Sequence, residues 1–126
     1  MKSKPGKVFI RVQRDPVSKE MKLGIIINTN NPETAWNALR LGSEALEGGH
    51  KVSVFLLGSG VEIGKINDGQ FDVTDLLKKF TRREVSLLGC STCMRLRHQE
   101  AGVILKSTLT DLIKIIADSD RLVTFG

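Results

Sequence analysis

The chain has 126 residues and a mass of 13.9 kDa, with 40% hydrophobic and 26% charged residues, which is typical of one globular domain and excludes a disordered chain. No apolar run approaches the roughly 20 residues of a membrane-spanning helix, and the first residues lack the apolar stretch of a signal peptide. The formal net charge is +5, yet residues 1–22 hold seven basic and two acidic side chains, whereas residues 23–126 hold twelve of each. We therefore expect a cytoplasmic protein whose excess charge lies in its first 22 residues.

Residues 1–21 are predicted to be a basic N-terminal arm. Lysine, proline and glycine favour a flexible segment, although residues 8–12 alternate in the manner of an added strand. Nucleic-acid binding, which depends on neutralising phosphates, is expected only through this arm. Residues 22–126 are predicted to form a single domain.

The domain opens with residues 23–27, an almost continuous apolar run that is typical of a strand buried on both faces of a parallel sheet. Residues 28–31 are Asn, Thr, Asn and Asn, which indicate a loop. Asn31 followed by Pro32 has the pattern of a helix N-cap with proline at the first helical position. Apolar residues then recur at helical spacing until Gly48 and Gly49 end the helix.

Three further strands and two further helices are predicted after this helix. Residues 52–57 and 85–88 are buried-strand runs, residues 58–69 form a glycine-containing loop, and residues 122–125 form a closing strand. The helix between the two runs has its apolar face at Val73, Leu76, Leu77 and Phe80. Ser107 is the expected N-cap of a last helix, whose buried stripe would consist of Leu109, Leu112, Ile113, Ile116 and Ala117.

This alternation of strands and helices predicts an α/β fold of the doubly wound type. In such sheets, ligands bind in the crevice outside the carboxyl ends of the strands. The segments expected at that edge are residues 28–31, 58–69 and 89–98. Both cysteines of the chain, Cys90 and Cys93, fall in the third.

Two motifs are incomplete. Residues 58–65 contain a Gly-Lys pair, but a P-loop needs glycine where Ser59 stands and Ser or Thr where Ile66 stands, and a dinucleotide fingerprint needs glycine at Ile63. For zinc, Cys90, Cys93 and His98 offer three ligands, whereas a structural site takes four, and His50 lies in the turn after the first helix. We therefore expect no cofactor and no metal.

The segment from Gly89 to His98 is the strongest candidate for chemistry. A thiolate at the end of a strand and the start of a helix faces unpaired backbone N–H groups, and Arg95 and Arg97 add positive charge. Both effects lower the pKa of a thiol, so an activated and accessible cysteine is predicted. The alternative is that both cysteines are small buried core residues.

Residues 23–125 resemble the DsrE/TusD-like sulfur-relay family, and within it the YchN-like branch. The resemblance is carried by the opening strand, loop and helix, by the second strand with Gly60-Val61, by the third strand leading to Cys90-x-x-Cys93, and by the closing strand. It implies a three-layer α/β/α fold with a mainly parallel five-stranded sheet. It also implies assembly into a homotrimer or homohexamer.

The resemblance further implies a sulfur carrier, or sulfurtransferase, that holds sulfane sulfur as a cysteine persulfide. Cys90 stands seven residues before Arg97, as the carrying cysteine of the family stands before an arginine, so Cys90 is the expected carrier and Cys93 a resolving or second thiol. Arg95 and Arg97 are expected to stabilise the anions. The candidate residues lining the crevice are Asn28, Asn30, Glu33 and His98, for which loop polarity and helix capping are the alternative explanation.

Two other functions stay open on the sequence. Cys90 and Cys93 suit a thiol-disulfide redox switch, in which the pair cycles between dithiol and disulfide. The other open function is a non-catalytic homo-oligomeric binding module, in which the basic arm contacts an acidic partner or RNA. A protein sulfur donor and acceptor are expected only for the relay.

Overall fold

The computed structural model describes residues 19–126. The predicted basic arm, including the alternating stretch at residues 8–12, lies almost entirely outside these residues. Within them the chain forms five strands and four α-helices in alternation. The strands are β1 (Lys22–Ile27), β2 (Lys51–Leu56), β3 (Leu87–Cys90), β4 (Ile104–Ser107) and β5 (Arg121–Phe125). The helices are α1 (Pro32–Glu47), α2 (Val73–Arg82), α3 (Ser91–Leu96) and α4 (Leu109–Asp118), and a 3₁₀-helix spans Gly58–Lys65.

The five strands form one sheet in the order β4-β3-β2-β1-β5, and every neighbouring pair is parallel. This confirms the α/β fold and the five-stranded sheet. A parallel sheet brings all the strand carboxyl ends to one edge. The segments after β1, β2 and β3 therefore meet at that edge.

Alternate residues of the strands point to opposite faces and build two apolar clusters. One face carries Ile25 and Ile27 of β1 against the buried residues of α1 and α2, with Phe80 fully buried among them. The other face is covered by α4, and its smaller cluster consists of Ile26, Phe55, Cys90 and Leu112. The molecule thus has helices on both sides of the sheet, as the three-layer fold requires.

The first strand and helix form as the sequence predicted. β1 is an inner strand between β2 and β5, and helices pack on both faces of the sheet there, so its residues from Leu23 to Ile27 are all buried, which explains its continuous apolar run. Asn31 caps α1, because its Oδ1 accepts a hydrogen bond from the Thr34 backbone N–H at 3.0 Å. Pro32 occupies the first helical position, where its missing N–H removes no helical hydrogen bond.

The prediction for residues 85–107 was wrong in three places. The third strand begins at Leu87 and includes Gly89 and Cys90, because Leu87 to Gly89 pair with β2 and Cys90 pairs with Ser107. The edge strand β4 was not predicted from the sequence, because only the first and the last of its four residues are buried and they form no alternating pattern. Ser107 ends this strand, and Thr108 caps α4 by accepting a hydrogen bond from the Asp111 backbone N–H at 3.1 Å.

The predicted buried stripe of the last helix is also wrong. Only Leu112 is buried, and Ile115, which was not predicted, is half-buried. Leu109, Ile113 and Ile116 are 56%, 66% and 45% exposed. Their spacing is helical, but no other element of residues 19–126 covers that flank of α4.

Residues 58–65, predicted as part of a loop, form the 3₁₀-helix and are partly buried. Gly60 packs so closely on β1 that a Cβ there would run into the carbonyl oxygen of Ile27. The 3₁₀-helix is thereby held against the carboxyl edge of the sheet.

No helix in residues 19–126 is both long enough and apolar enough to cross a membrane.

Candidate functional site

The two cysteines lie where β3 passes directly into α3. Cys90 is the last residue of the strand and the N-cap of the helix, and Cys93 lies in the first helical turn. The spacing of three residues places both side chains on one side of that turn. Both thiols are free.

Cys90 is buried, with 6% of its surface exposed, because its side chain packs with Ile26, Phe55 and Leu112 beneath α4. The prediction of an accessible thiol is therefore wrong for Cys90. The predicted direction of its acidity is nevertheless found. Burial, the largest single effect, raises the pKa of Cys90, but other contributions outweigh it and the pKa is lowered from its ordinary value.

The contributions that lower the pKa of Cys90 come from its own turn. The Cys93 backbone N–H, the Cys93 thiol and the Thr92 backbone N–H face its sulfur and lower this pKa, although none of them makes a capping hydrogen bond to it. The charge of Arg95 adds a smaller effect. Donor groups and positive charge that face a thiolate stabilise it, so these groups favour the Cys90 thiolate.

Cys93 differs from Cys90 in both exposure and acidity. It is half-buried, and its Sγ accepts a hydrogen bond from the Gly58 backbone N–H at 3.2 Å. Burial raises its pKa most, and the neighbouring side chain and negative charge of Cys90 raise it further. The Gly58 N–H and the charge of Arg97 lower it, but the net pKa of Cys93 is raised. The site therefore favours one thiolate beside one thiol.

The two arginines act on different sulfurs. Arg95 is exposed, and its charge lowers the pKa of Cys90. Arg97 is half-buried, and its charge lowers the pKa of Cys93. Arg97 Nη1 donates to the Cys93 carbonyl oxygen at 3.3 Å, and its Nε lies 3.7 Å from Oε1 of Glu62. The Arg97 guanidinium is thus held between α3 and the 3₁₀-helix.

Of the four predicted lining residues, the structure links two to the cysteines. Asn30 Nδ2 donates to Glu62 Oε1 at 3.2 Å and so joins the group that holds Arg97. The Asn28 side chain lies against Gly58, since its Oδ1 is 2.5 Å from the position that a Cβ on Gly58 would take. Both asparagines are exposed.

The other two lining residues are not brought to the thiols. Glu33 is exposed in the first turn of α1, and its side chain makes no hydrogen bond or ion pair within residues 19–126. His98 is exposed just beyond the end of α3, in the left-handed backbone region at φ 53°. In the part of the chain that the structure describes, its side chain has no hydrogen bond to either cysteine.

Three site residues were missed by sequence reasoning. Gly58 supplies the N–H to Cys93, Glu62 orients Arg97, and Gln99 Nε2 donates to the Val61 carbonyl oxygen at 2.6 Å, which ties the segment after α3 to the 3₁₀-helix. The one available signal was position, because residues 58–69 follow a buried strand at the same sheet edge. The residue types gave no indication of these contacts.

A cavity of about 290 Å³ lies beside this group and is lined by Asn30, Glu62, Lys65 and Ile66. Its position at the carboxyl edge of the sheet is the expected one for a ligand crevice in this fold. Within residues 19–126 no three His, Cys, Asp or Glu side chains converge as metal ligands would. His50, the fourth zinc candidate, accepts a hydrogen bond from the Met21 backbone N–H at 3.0 Å, in the turn that precedes β2.

The sequence model of the DsrE/DsrF-like family matches residues 21–125. An uncharacterized protein of Methanocaldococcus jannaschii is 32% identical over 115 residues, which cover 83% of this chain and 100% of the relative. An uncharacterized protein of Methanopyrus kandleri is 30% identical over 101 residues, which cover 74% of this chain and 83% of the relative. The family match spans the whole sheet and the cysteine turn.

Proposed function

Because the chain belongs to the DsrE/DsrF-like family, we propose that it is a sulfur carrier in which Cys90 accepts sulfane sulfur as a persulfide and passes it to the thiol of a partner protein. The observation that carries the proposal is the position of Cys90 at the carboxyl end of β3 and the N-cap of α3, where the surrounding groups lower its pKa. The thiolate is the reacting form of cysteine. We further propose that the chain belongs to the YchN-like branch and works in the cytoplasm, where thiols stay reduced.

Loading is an exchange reaction without net oxidation. The Cys90 thiolate attacks the outer sulfur of a donor persulfide, a new S–S bond forms on Cys90, and the donor leaves as a thiolate. Unloading repeats the step with an acceptor thiolate, and Cys90 is the leaving group. A lowered pKa favours this departure, because a thiol of low pKa leaves faster.

The groups around the two cysteines have distinct roles in the proposed relay. The backbone N–H groups of Thr92 and Cys93 and the charge of Arg95 stabilise the thiolate before loading and after unloading. Arg97, held by Glu62, supplies positive charge at Cys93. Since Cys90 is only 6% exposed, the donor must present its persulfide at the sheet edge, which restricts loading to projecting sulfur groups.

Mass spectrometry of the intact protein tests this function. We expect wild type and Cys93→Ser to gain the mass of one sulfur atom from a low-molecular-weight persulfide, and Cys90→Ser to gain none. The mass is measured before and after treatment with a reductant, which removes persulfide sulfur and leaves irreversibly oxidised cysteine unchanged. If Cys90→Ser loads as well as wild type, the carrier assignment is wrong.

A thiol-disulfide switch is the second candidate, because Cys90 and Cys93 are two free thiols three residues apart in the same turn. Its test is the reduction potential of the pair. A potential far below the cytosolic poise would leave the pair permanently oxidised and would refute the switch. The basic arm, with its acidic or RNA partner, lies outside the described residues and stays a prediction.

We also propose a homo-oligomer, a trimer or a hexamer. Its support is the flank of α4, where the side chains of Leu109, Ile113 and Ile116 are exposed at helical spacing. Leu105 of the edge strand is a further exposed apolar residue, 45% exposed. Contiguous apolar surface of this kind marks an interaction site in soluble proteins.

Light scattering measures the assembly directly. We expect Ile113→Lys to lower the molar mass, because a charge at the centre of the α4 flank would be desolvated in an interface. Thr110→Lys is the matched control, since Thr110 is exposed on the same helix away from that flank. An unchanged mass in Ile113→Lys, or a monomeric wild type, would contradict the proposal.

A further inference from the structure

We propose that Cys93 resolves the persulfide on Cys90, releasing hydrosulfide and leaving a Cys90–Cys93 disulfide. The inference rests on the proposed loading of Cys90. It adds a second outcome for the carried sulfur. In the presence of an acceptor the sulfur is relayed, and without one it leaves as sulfide.

The geometry of the turn brings the two sulfurs together. Cys90 is the N-cap of α3 and Cys93 lies three residues later in the same turn, and both side chains pack in the apolar cluster that contains Ile26, Phe55 and Leu112. Closing the disulfide needs no movement of another element, because both residues belong to the same turn.

The reaction balances without an external oxidant. The Cys93 thiol transfers its proton to the outer sulfur of the Cys90 persulfide anion and attacks Cys90 Sγ as a thiolate. The Cys90–Cys93 bond forms, the bond between Cys90 Sγ and the outer sulfur breaks, and the outer sulfur leaves as hydrosulfide with the transferred proton. The sulfane sulfur is reduced, and the two cysteines are oxidised.

The surroundings of Cys93 suit both halves of this step. Its raised pKa keeps the proton on the thiol until the persulfide is present. The Gly58 N–H, at 3.2 Å from Cys93 Sγ, then stabilises the thiolate as it forms. The Arg97 guanidinium, fixed by the Cys93 carbonyl oxygen and by Glu62, adds positive charge at the same sulfur.

A second reaction must follow each release. The Cys90–Cys93 disulfide returns to two thiols by exchange with a dithiol reductant, which becomes oxidised in turn. The chain would therefore consume one dithiol for each sulfide released. Relay to an acceptor consumes none, so the two outcomes differ in their demand for reductant.

The test follows loaded protein in the absence of an acceptor. Wild type, Cys93→Ser and Cys90→Ser are treated with a low-molecular-weight persulfide, freed of donor, and sampled for intact mass and for sulfide. We expect wild type to lose the added sulfur, release an equal amount of sulfide and end two hydrogen masses below the reduced protein. Cys93→Ser should keep its sulfur at least roughly tenfold longer, since a thiol held in place acts at high effective concentration.

The outcomes separate the inference from the function beneath it. Equal rates of sulfur loss in wild type and Cys93→Ser, or sulfide release that leaves both wild-type thiols free, would overturn the resolving role while loading stands. Absence of added sulfur on wild type and Cys93→Ser would overturn the carrier function and this inference together. Cys93→Ala is the second variant, because serine at a half-buried position can disturb folding. Formation of the Cys90–Cys93 disulfide in loaded wild type tests the resolving role without any variant.

Discussion

Gly58 has a left-handed backbone conformation and donates its N–H to Cys93, so the substitution Gly58→Ala tests both the stability of the fold and the acidity of the site. Gly58 has φ 54°, in the left-handed region, where an L side chain costs about 1–2 kcal/mol. An added Cβ would also lie 2.5 Å from Asn28 Oδ1, the end of an exposed side chain that can move. We expect a total loss of about 1–3 kcal/mol in the free energy of unfolding. At roughly 4 °C per kcal/mol, Tm should fall by about 4–12 °C.

Gly64→Ala is the matched control for this substitution. Gly64 is exposed in the same 3₁₀-helix, and no atom lies within 4 Å of the position of its Cβ. Alanine there should be neutral or slightly stabilising, because it lowers the entropy of the unfolded chain. The double variant Asn28→Ala/Gly58→Ala should regain the part of the loss that comes from Asn28 Oδ1.

The functional readout of Gly58→Ala is the alkylation rate of Cys93 against pH, measured in a Cys90→Ser background. The Gly58 N–H lowers the pKa of Cys93, so relaxing the backbone around alanine weakens that hydrogen bond and raises this pKa further. The midpoint of the rate profile should therefore move to higher pH, and Gly64→Ala should leave it in place. If Gly58→Ala melts and titrates like Gly64→Ala, residue 58 does not hold its N–H towards Cys93 and the reasoning is refuted.

Two further predictions concern acidity and packing. Arg95→Ala should move the alkylation midpoint of Cys90 to higher pH, because the arginine charge lowers the pKa of that thiol, and Arg82→Ala, an exposed arginine on α2, should not. An unmoved midpoint in Arg95→Ala would show that the charge of Arg95 does not contribute to the pKa of Cys90. Phe80→Ala should cost about 3–5 kcal/mol in denaturant unfolding, since the side chain is fully buried, whereas its exposed neighbour Lys79→Ala should stay within about 0.5 kcal/mol. A loss below 1 kcal/mol in Phe80→Ala would mean that the α2 cluster repacks around the cavity.

The elements that the sequence predicted well carry local signals. The apolar run of β1 and the Asn31-Pro32 cap of α1 are fixed by neighbours along the chain, so they are found where they were expected. β4 has four residues at the sheet edge and only Ile104 and Ser107 buried, which leaves no period to detect. Its pairing with β3, not its composition, makes it a strand.

The flank of α4 shows the limit of a periodic pattern. Leu109, Ile113 and Ile116 have the spacing of a buried stripe, yet they are exposed. Helical periodicity predicts that residues share a face, but burial depends on whether another element covers that face. The sequence of one chain contains no information about that cover.

By itself the sequence determined the α/β class, the family, and the position of two cysteines at the end of a strand, because each depends on residues close together in the chain. Only the tertiary structure decided how the cysteines differ. Cys90 packs under α4 while its own turn supplies N–H groups, and Cys93 receives its N–H from Gly58, 35 residues away. A pKa depends on every charge, donor and apolar group around the sulfur, and the parallel sheet brings those groups from separate loops to one edge.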